Sequence, residues 1–221
     1  MSIKENLKEI HSQLPSSVHL VCISKFQPEA AIMEAYDAGE RIFGESRTQE
    51  LCIKYENLPK DIQWHFIGHL QTNKIKYILP FVDLIHSVDS LKLLNEINKQ
   101  AEKINKTVNC LLQVHIAQEE TKFGFNPDEL IRLFKGDEWQ KWAYVKICGL
   151  MGMATFTDNT TQIRNEFRGL KKLFDLLKNE YFNNNDSFSE LSMGMSNDYL
   201  IAVEEGSTMV RLGTSIFGER K

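Results

Sequence analysis

The chain has 221 residues, 42% of them apolar, enough to bury a sizeable core, and its net charge of −4 carries no basic footprint for nucleic acid and no polybasic segment for a membrane surface. No run approaches the ~18 consecutive apolar residues that span a bilayer, and the opening MSIKENLKEIHSQL lacks the apolar centre of a secretory leader, so a cytoplasmic protein is expected. Cys22, Cys52, Cys110 and Cys148 stand far apart without a C-x-x-C and read as buried thiols; six scattered histidines give no clustered zinc ligands, so no metal site is expected.

Apolar residues at 3, 7, 10 and 14 mark one helical face over Ile3 to Leu14, stopped by Pro15. Val18 to Ser24 is a continuous apolar run, suited to a strand buried on both faces, and Lys25 closes it. Pro28 opens a helix to Ala38, Gly39 ends it, and a second strand starts at Arg41 to Gly44. A helix over Thr48 to Asn57 leads to strand Ile62 to Gly68, helix Thr72 to Leu79, strand Leu84 to Val88 and helix Ser90 to Ile104. The alternation continues through strand Asn109 to Ile116, helix Asn126 to Phe134, strand Val145 to Gly152 and the long helix Thr160 to Tyr181, then a polar loop over Asn183 to Ser189. The last stretch reads as strand Glu190 to Met195, a turn with Ser196 and Asn197, helix Asp198 to Glu205 ended by Gly206, and strand Thr208 to Leu212. Gly213, Thr214 and Ser215 then form a small hydroxyl-bearing turn.

Eight strand and helix alternations in a chain of this length predict an α/β protein built as one closed (β/α)8 TIM barrel, residues 1–221 forming a single domain. An open doubly wound sheet is the competing architecture, and the lack of a G-x-G-x-x-G after the first strand counts against it. Too little chain follows the eighth strand for a full closing helix, so the extra N-terminal helix is expected to cover that gap.

In such barrels the working groups come from the C-terminal ends of the strands, and phosphate is commonly held after strands seven and eight. That rule selects Lys25, Glu45 and Ser46, His69 and Gln71, Lys122, Met151 and Met153, Ser196, and Arg211, Gly213 and Thr214. A strand-end lysine walled by Cys22 and Ile23 is poorly hydrated, which favours the neutral, nucleophilic amine that forms Schiff bases, and a small turn with free N–H groups suits a phosphate. A surface lysine beside two ordinary turns is the blander reading. Taken together the two features suit a phosphorylated aldehyde: pyridoxal 5'-phosphate, or a sugar phosphate in an aldolase. Arg211, two residues before Gly213, shares its strand face; set against a pyridine nitrogen it would keep that nitrogen unprotonated, while pairing with Glu204 or Glu205 would make it structural. His65 lies inside a strand and reads as a satisfied core histidine, His69 at the strand end stays open, and methionine at 151 and 153 fits barrel filling as well as ring contact.

The series VCISKFQP, RIFGES, WHFIGHLQTNK, ETKFGF, GLMGMAT and LSMGMSNDYLIAVEEGSTMVRLGTSIFGER, in order over nearly the whole chain, resembles the pyridoxal-phosphate homeostasis protein family, a single-domain barrel similar to the N-terminal domain of bacterial alanine racemase. The resemblance implies that Lys25 holds pyridoxal phosphate as a Schiff base, that Ser196, Gly213 and Thr214 bind its phosphate, and that Arg211 faces the pyridine nitrogen. It implies secondary roles for Lys122 in TKFG, for Ser46 and for Met153. The family usually reads F-G-E-N where this chain has Phe43, Gly44, Glu45 and Ser46, so an amide contact at that position would pass to a hydroxyl or a water.

Racemisation needs an acid/base group on each face of the substrate carbon, and the racemase takes one of them from a second domain that this sequence does not extend into. The expectation is therefore a monomeric holder and supplier of pyridoxal phosphate acting in vitamin B6 homeostasis, without efficient catalysis, with pyridoxal-phosphate-dependent apoenzymes as acceptors. An amino-acid racemase and a Schiff-base aldolase are the alternatives.

Overall fold

Eight parallel strands pair in sequence order and close on themselves in the computed structural model, which describes residues 2–118, 123–136, 138–183 and 185–219. They are β1 (His19–Ile23), β2 (Ile42–Glu45), β3 (Gln63–Phe66), β4 (Leu84–Val88), β5 (Val108–Val114), β6 (Val145–Gly152), β7 (Glu190–Ser192) and β8 (Met209–Leu212). The closing pair, β1 with β8, sets His19 beside Met209 and Cys22 beside Leu212. Around the barrel lie α1 (Ile3–Gln13), α2 (Glu29–Asp37), α3 (Thr48–Asn57), α4 (Ile75–Ile78), α5 (Leu91–Lys103), α6 (Pro127–Lys135), α7 (Thr160–Tyr181), α8 (Tyr199–Glu204) and α9 (Thr214–Phe217). This is the (β/α)8 barrel that the alternation predicts. Among the described residues no helix is long and apolar enough to cross a membrane, and no three His, Cys, Asp or Glu side chains are grouped to hold a metal ion. All four cysteines are free thiols, three of them buried.

Strand pleating divides the core in two. One set of strand residues, including Cys22, Phe43, Trp64, Phe66, Leu112 and Leu212, packs outward on the helices; the other, Val21, Ile23, Leu84, Leu111, Cys148, Met151 and Met209, fills the barrel. The helices begin where side chains satisfy their free N–H groups: Ser2 and Glu5 form a capping box on α1, and Ser90, Asn126 and Asn159 cap α5, α6 and α7. The place of a missing closing helix is taken by α1 and the short α9 together. These two pack on each other, with Asn6 Nδ2 donating to the Ile216 carbonyl at 2.8 Å, and Gln13 accepts from Tyr199 Oη at 2.5 Å.

Sequence and structure differ mainly at element ends. β7 stops at Ser192, three residues short of the expected end, because Gly194 takes a left-handed φ of 96° and the Met195 N–H turns to Asp198 Oδ1. β5 stops at Val114 because the chain folds back, with His115 N donating to the Phe125 carbonyl and Phe125 N to that of Gln113. The expected helix 72–79 begins as a 3-10 turn, Thr72–Lys74, and a second such turn, Glu138–Lys141, was not anticipated. The Gly213 to Ser215 turn is the start of α9.

A bulge in β6 decides which side chains reach the barrel mouth. The pairing with β5 shifts from Cys110 opposite Ile147 to Leu111 opposite Gly149, leaving Cys148 as the extra residue. The shift resets the alternation, so that Met151 and Met153 follow Cys148 into the interior. Gly149 has φ 149°, and a Cβ there would lie 1.8 Å from the Glu190 carbonyl oxygen. Gly149→Ala is therefore expected to cost about 3 kcal/mol or more, from left-handed strain added to overpacking against backbone, read as a lower urea midpoint at unchanged slope.

Candidate functional site

The C-terminal ends of β7, β8 and β1 are consecutive on one rim, and their loops carry most of the candidate residues. Met193 N donates to the Met209 carbonyl and Arg211 N to that of Gly194, so the two chains run side by side until Ser196 and Gly213 turn away, two residues beyond. On the other flank Gly213 lies against Ile23, close enough that a Cβ would sit 3.4 Å from both the Ile23 Cβ and its carbonyl oxygen. Lys25 is two residues past Ile23, in the turn that follows β1, and Gly213 directly follows β8. Ser196, Gly213, Thr214 and Lys25 thus come to one stretch of rim by strand register alone.

Both turns present unused donors. Thr214 and Ser215 are the first residues of α9, and Ser196 and Asn197 form the turn before α8; the four backbone N–H groups meet no acceptor among the described residues. Asp198 shapes that second turn, its Oδ1 accepting from Met195 N at 2.6 Å. A rim of free N–H groups beside two hydroxyls is a donor set for an anion with several oxygens.

Below the rim a polar chain runs through the barrel interior. Arg211, 4% exposed, donates from Nη1 to the Ser192 carbonyl at 2.9 Å and to Ser192 Oγ at 2.6 Å, and from Nη2 to the Gly152 carbonyl at 3.0 Å. Ser192 Oγ is 3.0 Å from His86 Nδ1, and His86 Nε2 is 3.0 Å from His65 Nδ1. A guanidinium only donates, so Ser192 Oγ accepts from Arg211; with the Ser192 proton given to His86 Nδ1, His86 carries its own proton on Nε2 and donates to His65. In that arrangement both imidazoles are neutral. Burial enforces that state: it pulls the His65 pKa down to about 3 and that of His86 well below the ordinary value, and it lowers Arg211 to about 10 despite the nearby Asp198 carboxylate.

Several sequence expectations change here. Arg211 does not pair with Glu204 or Glu205, because those carboxylates are held by Arg164 and Arg168 on α7. Cys22 faces the helix layer and leaves Ile23 as the apolar wall on the inner side of β1. Glu45 also points outward, against α3, because its neighbour Gly44 faces the interior, where a Cβ would meet Ile23 and Val21; Ser46, back in the inward phase, is half-buried at the rim. Met153 packs half-buried over the interior cluster and Met151 fills it. His65 is the core histidine that its position suggests. His69 stands at the rim with Nδ1 2.9 Å from Asp89 Oδ2 and its ring stacked on Phe123 at 4.3 Å, and together with Gln71 and Lys92 it lines a cavity of about 380 Å³. Lys122 lies outside the described residues. Missed altogether were His86, inside an apolar strand, and Ser192, whose partners are remote in sequence; inward phase on β4 and β7 was the available signal.

The whole chain, residues 1–221, matches the model of the alanine racemase N-terminal domain family. A pyridoxal phosphate homeostasis protein of Aquifex aeolicus is 45% identical over 203 residues, covering 91% of this chain and 87% of that protein. The chain belongs to the pyridoxal phosphate homeostasis protein family. PipY of Synechococcus elongatus, solved with pyridoxal phosphate bound, is 36% identical with a TM-score of 0.88, covering 98% of this chain and 100% of that one. At the level of fold, this homeostasis-family chain is also similar to alanine racemase of Bartonella henselae, at 13% identity and a TM-score of 0.73, spanning 99% of this chain and 56% of the racemase.

The polar chain has a pH signature. With folded pKa values below the ordinary 6.5, His65 at about 3 and His86 well below its ordinary value, both take up protons on unfolding, so acidification below about pH 6.5 favours the unfolded chain, by on the order of 1 kcal/mol per pH unit for His65 down to about pH 3. In His65→Gln the new amide carbonyl can accept from His86 Nε2, and the slope of unfolding free energy against pH over that interval should fall by one histidine's share, as measured by urea titration at stepped pH.

Proposed function

We propose that this protein binds pyridoxal 5'-phosphate, with Lys25 as its Schiff-base lysine, and acts in vitamin B6 homeostasis as a holder and supplier of the cofactor. The observation that supports the reading is that the turn carrying Lys25 adjoins four backbone N–H groups without an acceptor among the described residues, and the Ser196 and Thr214 residues, on the rim made by β7, β8 and β1. A ligand that suits this donor set has an aldehyde at one end and a dianionic phosphate at the other. The Aquifex relative, a pyridoxal phosphate homeostasis protein, and PipY, solved with pyridoxal phosphate bound, support the same ligand.

Bound to a lysine amine, pyridoxal phosphate supplies an electron-withdrawing ring that can stabilise negative charge on an attached carbon. The protein's own groups have separate tasks. Ser196, Gly213 and Thr214 anchor the phosphate through backbone N–H groups and hydroxyls. Arg211, fixed by Ser192 and Gly152, would stand against the ring nitrogen as a donor that keeps its own proton, which would hold that nitrogen unprotonated and weaken the ring as an electron sink. Ser46 and Met153 would border the ring, and the family resemblance implies a further basic role for Lys122. A damped sink suits storage and release better than turnover. In this reading the protein is a cytoplasmic monomer of one domain, and pyridoxal-phosphate-dependent apoenzymes receive the cofactor.

Mixing the purified protein with pyridoxal phosphate should produce an imine absorption band that borohydride fixes on Lys25, and Lys25→Ala should lack it; a normal band in that variant would remove the assignment. Ser196→Ala and Thr214→Ala should keep the band and weaken affinity by roughly tenfold, the worth of one hydrogen bond to a charged group. Exchange of amino-acid α-hydrogens in heavy water should stay near the rate of free pyridoxal phosphate; rapid exchange would favour an amino-acid enzyme.

A further inference from the structure

The turn that carries Lys25 is gripped from outside the barrel by a buried ion cluster. Lys54, on α3 and 4% exposed, places its ammonium 2.8 Å from the Ser24 carbonyl, 2.8 Å from Glu45 Oε1 and 2.6 Å from Glu50 Oε1, one acceptor for each of its three protons. The carboxylates complete the grip. Glu45 Oε1 also accepts from Ser24 Oγ at 2.6 Å, and Glu50 Oε1 accepts from the backbone N–H of Phe26 at 2.6 Å. The residues on both sides of Lys25 are thus tied to a single cation.

Three further features mark the arrangement as more than packing. Phe26 has φ 65°, a left-handed conformation that a side chain of this size adopts only under constraint, and the bond from its N–H to Glu50 supplies that constraint. The Phe26 ring is half exposed, with the Arg47 guanidinium 4.6 Å above it, so burial of the ring does not account for the conformation. Glu45 is fully buried and its Oε2 is one of two buried side-chain polar atoms left without a hydrogen bond among the described residues. Leaving a buried carboxylate oxygen unmatched is costly, so the cluster is not tuned for stability alone.

We infer that Lys54, with Glu50 and Glu45, is a positioning device for the Lys25 amine: it fixes Ser24 and Phe26 so that the intervening side chain leaves the rim in the direction of the phosphate-binding turns. The inference rests on the proposed assignment of Lys25 to pyridoxal phosphate. The step it serves is condensation, in which Lys25 Nζ bonds the aldehyde carbon while that carbon loses its oxygen as water. No outside oxidant or reductant enters. A reacting nitrogen held within reach of its target reacts faster than one on a loose turn, whereas phosphate anchoring on β7 and β8 does not depend on the device.

The test separates these two steps. Glu50 is chosen because its side chain is 21% exposed and its loss does not strand a fully buried charge. In Glu50→Ala the second-order rate of imine formation with pyridoxal phosphate should fall roughly tenfold or more, while the dissociation constant of pyridoxine 5'-phosphate, which carries the phosphate and ring but an alcohol in place of the aldehyde, stays within about twofold. Glu50→Gln, which retains a carbonyl acceptor for Phe26 N–H, should recover most of the rate. Wild-type imine kinetics in Glu50→Ala would overturn the inference, as would a parallel loss of pyridoxine 5'-phosphate affinity, since that would mark general disruption of the rim. Absence of an imine in the unmodified protein would instead strike at the Lys25 assignment itself.

Discussion

The register in which β8 closes on β1 is the constraint from which the site follows. Parallel pairing puts the C-terminal ends of all strands on one rim, and closure makes the first and last strands neighbours, so residues 25 and 213, far apart in sequence, end on adjacent loops. One step of register on β1 would exchange its inner and outer side chains and shift the turn that carries Lys25, because side chains alternate with a period of two. What prevents the slip is apolar: Val21 and Ile23 belong to the interior cluster and Cys22 to the helix layer, and reversing them would cost every inward contact of the strand.

The barrel interior is divided by chemistry along its axis. The Val21, Leu84, Leu111 and Met209 cluster is apolar, whereas Arg211, Ser192, His86 and His65 form a continuous polar chain. A guanidinium is the only permanent charge in that series, and both histidines are held neutral by burial. A buried cation surrounded by carbonyl and hydroxyl acceptors is rigid, since each movement would leave a desolvated proton without a partner. Rigidity at this level suits a residue that must face one atom of a flat ring without exchanging a proton with it.

Much of this was legible in the sequence, for specific reasons. The helix Thr48–Asn57, the strands Leu84–Val88 and Val145–Gly152 and the helix Thr160–Tyr181 fall where hydrophobic periodicity puts them, and eight alternations suffice for a closed barrel. The rim residues were legible because barrel topology assigns chemistry to strand ends. Hidden were the features set by side-chain partners from distant strands. Nothing local tells that Ser192 lies between Arg211 and His86, that Glu204 and Glu205 are occupied by Arg164 and Arg168, or that a lysine in mid-helix at position 54 is buried. An i,i+4 Glu50 and Lys54 pair reads as a solvated helix face; burial reverses that reading, and burial is a property of the assembled barrel.

The loop after β1 thus serves two opposed demands with neighbouring residues. Ile23, in the inner phase, walls the barrel mouth next to the turn that carries Lys25. The outer phase, Ser24, is free to be bound tightly, and the ion cluster binds it through both its hydroxyl and its carbonyl. Holding the residues on either side of a reactive lysine limits where its turn can move, and the left-handed Phe26 is the backbone strain that accompanies this. The same division recurs on β8, where Arg211 is held below the rim by Ser192 and Gly152 while the Thr214 N–H above it meets no acceptor among the described residues. Rigidity sits one residue away from reactivity at both places, a spacing that strand pleating supplies without any further device.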